Sequence, residues 1–165
     1  MSELAVDLLL GPGLLSRTIA WYGEGYGGYS HAASVIDAEW YIDSHADVIA
    51  NAPPGVQIRA IATEKCIRRR RCALQVSDAE YERWVDVLHE NLGDPYGDTD
   101  IWAFITGRKE HSRGHWICSA NALRALRKIN RIPALSVPDH QITPNSLLLI
   151  LETAGFQSYD LAPIV

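Results

Sequence analysis

Residues 116–129, WICSANALRALRKI, are the most informative stretch of this sequence. Apolar side chains recur there at helical spacing, at Ile117, Leu123, Leu126 and Ile129. The pattern predicts an amphipathic helix with Cys118 at its start. A thiol at a helix N-terminus lies at the positive end of the helix dipole, which favours the thiolate. Cys118 is therefore a candidate nucleophile, and the alternative is a buried structural cysteine.

A second stretch, residues 29–37 with the sequence YSHAASVID, predicts a buried strand that contains His31. A cysteine and a histidine that are distant in sequence but adjacent in the fold are the usual layout of a thiol nucleophile and its base. The alternative for His31 is a strand histidine with one backbone hydrogen bond.

Asp43 lies in a further predicted strand, residues 39–47. If this strand and the His31 strand form a hairpin, the Asp43 carboxylate could accept a hydrogen bond from the imidazole and orient it. The alternative is an acidic residue that ends a strand. Two other side chains compete for the same role: His45 and, more weakly, Asp47.

The rest of the pattern mixes strands with helices. Strands are predicted over 5–10, 52–61 (after a Pro-Pro-Gly turn) and 65–76, and helices over 14–23, from the Ser77–Glu80 capping box to Gly93, and over 145–154. This order predicts an α+β fold with a mostly antiparallel sheet. We expect one domain over residues 1–165.

The run Arg68–Arg71 falls within the predicted strand 65–76. Alternate arginines would face opposite sides of the strand, so that two reach solvent and two bind carboxylates. Recognition of an acidic substrate group is the alternative. Cys66 and Cys72 flank the run, and we expect both to be structural and to share one face of the strand.

Composition excludes several classes of protein. The 165 residues carry a formal net charge of -5, which argues against nucleic-acid binding despite the local arginine run. No apolar run approaches the ~18 residues of a membrane span, and the first residues lack the features of a signal peptide. Three cysteines do not indicate a disulfide framework. We therefore expect synthesis in the cytoplasm and a reducing compartment.

Two further motifs carry weaker predictions. The spacing of His111, His115 and Cys118 could hold zinc, but Gly114 interrupts it and no clear fourth ligand follows, so we predict no metal and no cofactor. The glycine-rich residues 21–29, WYGEGYGGY, match no nucleotide-binding fingerprint. They indicate either a mobile lid or a plain loop.

Taken in order, the motifs resemble the circularly permuted branch of the NlpC-type papain-like superfamily, which includes YiiX/YebB-like proteins and the lecithin:retinol acyltransferase-like group. YSHAASVID resembles the Ser-His strand of the family, YIDS its third polar position, GDPYGD its Pro-Tyr element, WICSANALRAL its cysteine helix and ITPNSLL its closing segment. Many relatives carry glutamate or histidine where Asp43 stands, and some carry an acidic residue in place of Ala120.

The resemblance implies a permuted papain-like fold and a cysteine peptidase or amidase. It assigns the nucleophile to Cys118, the base to His31, the orienting carboxylate to Asp43 and a position at the oxyanion hole or cleft to Tyr96. The implied partner is a peptide of the bacterial cell wall, reached by lysis or specialised secretion, and the implied intermediate is a thioester.

Two alternatives remain at the level of sequence. One is an acyltransferase or thioesterase acting on lipid esters, which would need an apolar cleft around Trp21, Trp40 and Trp102. The other is a non-catalytic binding module on the same fold, in which Cys118 would react no faster than the other two cysteines.

Overall fold

A computed structural model describes residues 1–22, 28–47, 53–97 and 117–165. Its elements follow the chain as β1 Ser2–Leu10, α1 Leu14–Tyr22, β2 His31–Val35, β3 Trp40–His45, β4 Gly55–Ala60, β5 Arg68–Val76, α2 Asp78–Glu90, α3 Cys118–Lys128, α4 Pro144–Thr153 and β6 Gln157–Leu161. Two short 3-10 helices cover Ile61–Thr63 and Asp139–Gln141.

The six described strands form one antiparallel sheet in the order β4-β3-β2-β1-β5-β6. The predicted α+β class with an antiparallel sheet is thus confirmed. β6 was not predicted, because its five residues begin two positions after the helix-ending Gly155 and carry little hydrophobic pattern. It pairs with β5 through the Arg69↔Leu161 to Ala73↔Gln157 register.

Successive residues of a strand point to opposite faces, and this alternation divides the core in two. Leu4, Val6 and Leu8 of β1 belong to the main core, which α2, α3 and α4 cover. Ala5 and Leu9 belong to a smaller cluster on the second face. Residues that oppose each other in an antiparallel pair share a face, so His31, which opposes Leu9, lies on the second face.

Two helices, α2 and α4, begin where capping chemistry predicts. Ser77 and Glu80 form the expected capping box at α2, and the Thr143 side chain accepts from the backbone N–H of Ser146 at α4. Each helix then buries a stripe of large side chains in the main core: Trp84 and Leu88 from α2, Leu123 and Leu126 from α3, and Leu147 and Leu151 from α4.

The arginine run alternates as predicted. Arg69 and Arg71 both bind Asp7, with their Nε atoms 2.8 and 2.7 Å from its carboxylate oxygens, and Asp7 is fully buried. Arg70 points the other way and pairs with Glu152 and Asp160. Carboxylates therefore bind Arg70 in addition to the two arginines of the second face.

The prediction that Cys66 and Cys72 share a strand face is wrong. Cys66 lies before β5, in an isolated bridge with Ile164, and packs in the smaller cluster, whereas Cys72 lies in the main core. The reason is that Cys66 precedes the regular alternation of the strand. Both thiols are buried and free, as a structural role requires.

Gly55 fixes the end of β4 against the loop that follows α2. Its φ is +146°, and a Cβ added there would lie 2.3 Å from the carbonyl oxygen of Asp94. That carbonyl accepts the N–H of Val56 at 2.9 Å, and Gly55 itself pairs with His45. A residue without a side chain is therefore needed at the end of the strand next to His45.

Candidate functional site

Cys118 is the first residue of α3, as the helical pattern predicts. No described side chain caps this helix start, so its first N–H groups are left for other acceptors. The thiol is largely buried, at 6% exposure. Ser119 and Ala120 are buried too, so these small side chains pack inside the protein.

His31 joins the two other predicted site residues. α3 packs against β2 and β3, and Cys118 at its start interacts electrostatically with the imidazole of His31, the first residue of β2. On its other side, Nε2 of His31 lies 2.7 Å from Oδ2 of Asp43 on β3. Nδ1 is then the ring nitrogen that remains for the thiol. The side chain of His31 is 14% exposed.

The charges around His31 stabilise its protonated form. Burial favours the neutral ring, but the negative charges of Cys118 and Asp43 and the hydrogen bonds to both outweigh burial. As a result, the pKa of His31 lies well above its usual value. Burial would raise the pKa of Asp43, yet the charge of His31 and the hydrogen bonds from His31 and Arg59 lower it. The pair thus favours imidazolium beside carboxylate.

Behind Asp43 lies Arg59 of β4, which the sequence analysis did not identify. Its Nε donates to Oδ1 of Asp43 at 2.9 Å and its Nη2 donates to Oδ2. Nη1 donates to Glu64 at 2.5 Å. The Arg59 side chain is only 2% exposed, so these contacts form in a dry interior. The sequence does contain a pattern that points to Arg59, since Gln57 and Arg59 are the polar positions of an alternating strand. The pattern identifies Arg59 as a partner of Asp43 only when the pairing of β4 with β3 is known.

His45 was the competing third member, and the structure places it beside His31 rather than behind it. The two rings meet edge to face, with their centroids 5.3 Å apart. Nδ1 of His45 accepts the backbone N–H of Asp47 at 3.1 Å. Burial and the positive charges of His31 and Arg59 lower the pKa of His45 to about 4, so it is neutral near pH 7. Asp43, not His45 or Asp47, therefore contacts the outer nitrogen of His31.

The segment 142–145 connects the two halves of the site. The hydroxyl of Ser119, next to Cys118, donates to the carbonyl of Ile142 at 2.5 Å. Three residues on, the Asn145 side chain accepts the N–H of Tyr29 at 2.8 Å and donates to the carbonyl of Ala20. Because Tyr29 precedes His31 by two residues, this segment links the cysteine helix to the start of the histidine strand.

Tyr96 is buried, in a segment whose neighbour Pro95 bridges to Gly55 at the end of β4. Since Gly55 also pairs with His45, Tyr96 lies near the end of the sheet that carries the site. Its role at an oxyanion hole stays a prediction. Trp21 and Trp40 are 77% and 40% exposed on α1 and β3, so neither lines an enclosed apolar cleft.

Several predicted features lie outside the described residues: His111 and His115, Trp102, and residues 23–27 of the glycine-rich stretch. Within the described ranges, no three His, Cys, Asp or Glu side chains are grouped so that they could hold a metal. Over the same ranges, no helix has the length and apolar character needed to cross a membrane.

The remaining thiols differ from Cys118 in their surroundings. Burial raises the pKa of Cys72 to about 12 and also raises the pKa of Cys66. Within the described part of the chain, neither has a histidine among the groups that shift its pKa. These two cysteines therefore serve as internal references for the reactivity of Cys118.

Comparison with known proteins adds no assignment, since no protein-family model and no curated protein matches this chain.

Proposed function

We propose that the protein is a cysteine hydrolase with a permuted papain-like fold, in which Cys118, His31 and Asp43 form a catalytic triad. The observation that carries the proposal is the position of His31, whose imidazole bonds the Asp43 carboxylate at 2.7 Å and interacts with Cys118 at the start of the helix packed against its strand. A thiol, an imidazole and a carboxylate linked in this order constitute a thiol nucleophile, its base and the group that orients the base.

In the first half of the reaction, His31 accepts the thiol proton and the Cys118 sulfur attacks the carbonyl carbon of the substrate. The carbonyl π electrons move to oxygen and form a tetrahedral oxyanion. When the oxyanion collapses, the bond from carbon to the leaving amine breaks and His31 gives its proton to the amine nitrogen. The product of this half is a thioester on Cys118.

In the second half, His31 takes a proton from water as the water oxygen attacks the thioester carbon. Collapse of the second oxyanion breaks the carbon–sulfur bond, and the thiol regains its proton from His31. Asp43 keeps Nε2 of His31 hydrogen-bonded throughout and stabilises the imidazolium each time it forms.

The oxyanion would lie at the start of α3. The backbone N–H groups of the first helical turn point out of the helix end, and the helix dipole adds positive potential there. Because no described side chain caps this end, these N–H groups can donate to a substrate oxygen. Tyr96 is the further candidate for this role.

The substrate class follows from the resemblance to NlpC-type proteins rather than from the geometry of the site. That resemblance implies an amide bond in a peptide of the bacterial cell wall. A triad of this kind would also cleave esters, so the first substrate panel should contain muropeptides and fatty acyl esters side by side.

Hydrolysis of this panel by the wild-type protein, Cys118→Ala and Cys66→Ala tests the proposal. We expect Cys118→Ala to lose all turnover while keeping the wild-type melting temperature, and Cys66→Ala to retain turnover. Mass spectrometry of the quenched wild-type reaction should show the acyl group on the peptide that contains Cys118. Turnover that survives Cys118→Ala would contradict the proposal.

A further inference from the structure

We infer that Arg59 and Glu64 are positioning residues that set the charge felt by His31 through Asp43, extending the triad to five linked side chains. The inference rests on the proposed function only in treating His31 as the base. The contacts themselves are part of the fold: His31 Nε2 to Asp43, both oxygens of Asp43 to Arg59, and Nη1 of Arg59 to Glu64.

Arg59 first fixes the orientation of the carboxylate. Its planar guanidinium bonds one Asp43 oxygen through Nε and the other through Nη2, and this two-point contact prevents the carboxylate from rotating. The Asp43 side chain is fully buried, so these protein contacts rather than water set its orientation toward His31. A lysine at position 59 would keep the charge but lose the two-point contact.

Arg59 alone would weaken the triad electrostatically. A buried positive charge against Asp43 offsets the negative charge that stabilises the imidazolium. Glu64 restores the balance, because its carboxylate lies 2.5 Å from Nη1 on the far side of the guanidinium and is itself only 11% exposed. With Glu64 present, the three groups behind His31 sum to one negative charge, and without it they sum to zero.

Among the described residues, the charged and titratable groups around His31, Asp43 and Arg59 come from four segments of the fold. They are Cys118 of α3, Asp43 and His45 of β3, Arg59 of β4, and Glu64 after the 3-10 helix. Among these, Glu64 is the carboxylate that does not contact His31, so removing its charge changes the field at His31 while leaving the contacts of the imidazole in place.

The test is the titration of His31, followed by NMR in Cys118→Ala protein with labelled histidine rings. The protein has six histidines, and the His31 signal is assigned by its loss in a His31→Gln variant. We expect Glu64→Gln to lower the pKa of His31 by about 0.5–1 unit, the effect of losing one nearby charge that is not in direct contact in a medium of intermediate dielectric. The matched control is Glu90→Gln, since Glu90 also lies 2.5 Å from its cation, Lys128, and should leave the His31 titration unchanged.

A charge-setting role also predicts opposite signs for the two residues. Arg59→Gln should raise the pKa of His31, Glu64→Gln should lower it, and the double variant should lie between the two. A merely structural role predicts that all three variants change in the same direction. If Arg59→Gln does not fold, the comparison of Glu64→Gln with Glu90→Gln still tests whether the charge of Glu64 affects His31. Equal His31 titrations in those two proteins would overturn the inference.

The titration does not require turnover, so this inference and the proposed function can be contradicted independently. A lowered His31 pKa in Glu64→Gln, together with no hydrolase activity of the wild-type protein in any assay, would support the charge network and contradict the proposed function. Hydrolysis that depends on Cys118, with no shift in Glu64→Gln, would do the reverse.

Discussion

At the scale of single residues, the site depends on one buried carboxylate with partners on both sides. Asp43 accepts from His31 on one side and from Arg59 on the other, and it is essentially inaccessible to water. A buried charge is stable only when its partners are in place, so Asp43 contributes both to the orientation of His31 and to the stability of the sheet around it.

Asp43→Asn should separate these two contributions. The amide keeps the shape of the side chain but loses its charge, so we expect the pKa of His31 to fall and turnover to drop by as much as about 10⁴-fold, the loss known for the equivalent change in a serine protease. Breaking a buried ion pair from one side costs about 3–5 kcal/mol, which urea unfolding would measure.

The control for this variant is Asp86→Asn, which neutralises an exposed aspartate of α2. Its unfolding free energy and turnover should match those of the wild type. If Asp43→Asn behaves like Asp86→Asn in both measurements, Asp43 has neither role.

At the scale of elements, two loops hold the strand ends that carry the site. The segment 142–145 ties the residue after Cys118 to the residue two before His31, through Ser119 and Asn145. Gly55 lets the loop after α2 approach the end of β4 beside His45. Both features fix the distance between parts of the site that lie far apart in the sequence: the cysteine helix and the histidine strand in the first case, and the loop after α2 and β4 in the second.

Asn145→Ala should therefore reduce kcat more than it changes KM. The variant leaves the N–H of Tyr29 without its acceptor, and a displacement of about 1 Å between nucleophile and base can cost about 10²-fold in rate. Steady-state kinetics on an identified substrate would measure the effect. Thr143→Ala is the control, because it weakens the same helix start by about 1 kcal/mol but leaves Asn145 in place. Equal kinetic losses in the two variants would reject the link as a positioning device.

Gly55→Ala should destabilise the protein clearly more than Gly13→Ala. The added methyl group at position 55 meets the Asp94 carbonyl at 2.3 Å, and the φ of +146° is strained for any side chain. At position 13 no described atom beyond the adjoining residues lies within 4 Å of the added Cβ. Melting temperatures of the two variants provide the comparison, and a Gly55→Ala protein as stable as Gly13→Ala would show that the loop relaxes without cost.

At the scale of the whole molecule, two adjacent histidines with opposite shifts shape the dependence of stability on pH. The pKa of His31 is raised above its unfolded value of about 6.5, so its contribution is complete below that pH and is lost as pH rises through the folded pKa. The pKa of His45 is lowered to about 4. Its contribution to stability is therefore complete above about pH 6.5 and is lost as the pH falls from about 6.5 to about 4.

The unfolding free energy should therefore have a maximum near pH 6.5, and each histidine should account for one side of it. His31→Gln should flatten the fall above this pH, and His45→Phe should flatten part of the rise between pH 4 and 6.5. Urea unfolding at intervals of half a pH unit would show this. A His31→Gln profile parallel to that of the wild type above pH 6.5 would contradict the sign derived for His31.

The sequence predicted those parts of the fold and site that depend on local pattern. Periodicity and caps predicted the bounds of α2, α3 and α4 to within a few residues. The predicted hairpin placed Asp43 beside His31. Arg59 could not be found in this way, because its importance depends on the pairing of β4 with β3. The same limit explains Cys66, whose face was misjudged because the first residue of β5 is Arg68. The pairing of β4 with β3 joins segments in a register that this single sequence does not specify.

The most direct test of the central claim is the alkylation of all three cysteines as a function of pH, read by peptide mass spectrometry in wild-type protein and in His31→Ala. Because burial raises the pKa of Cys66 and Cys72, we expect both to react slowly in both proteins. Cys118 should react faster than both in the wild type, because His31 can take its proton, and should lose this advantage in His31→Ala. If Cys118 reacts no faster than Cys72 in the wild-type protein, the thiolate–imidazole pair does not exist and the hydrolase account is wrong.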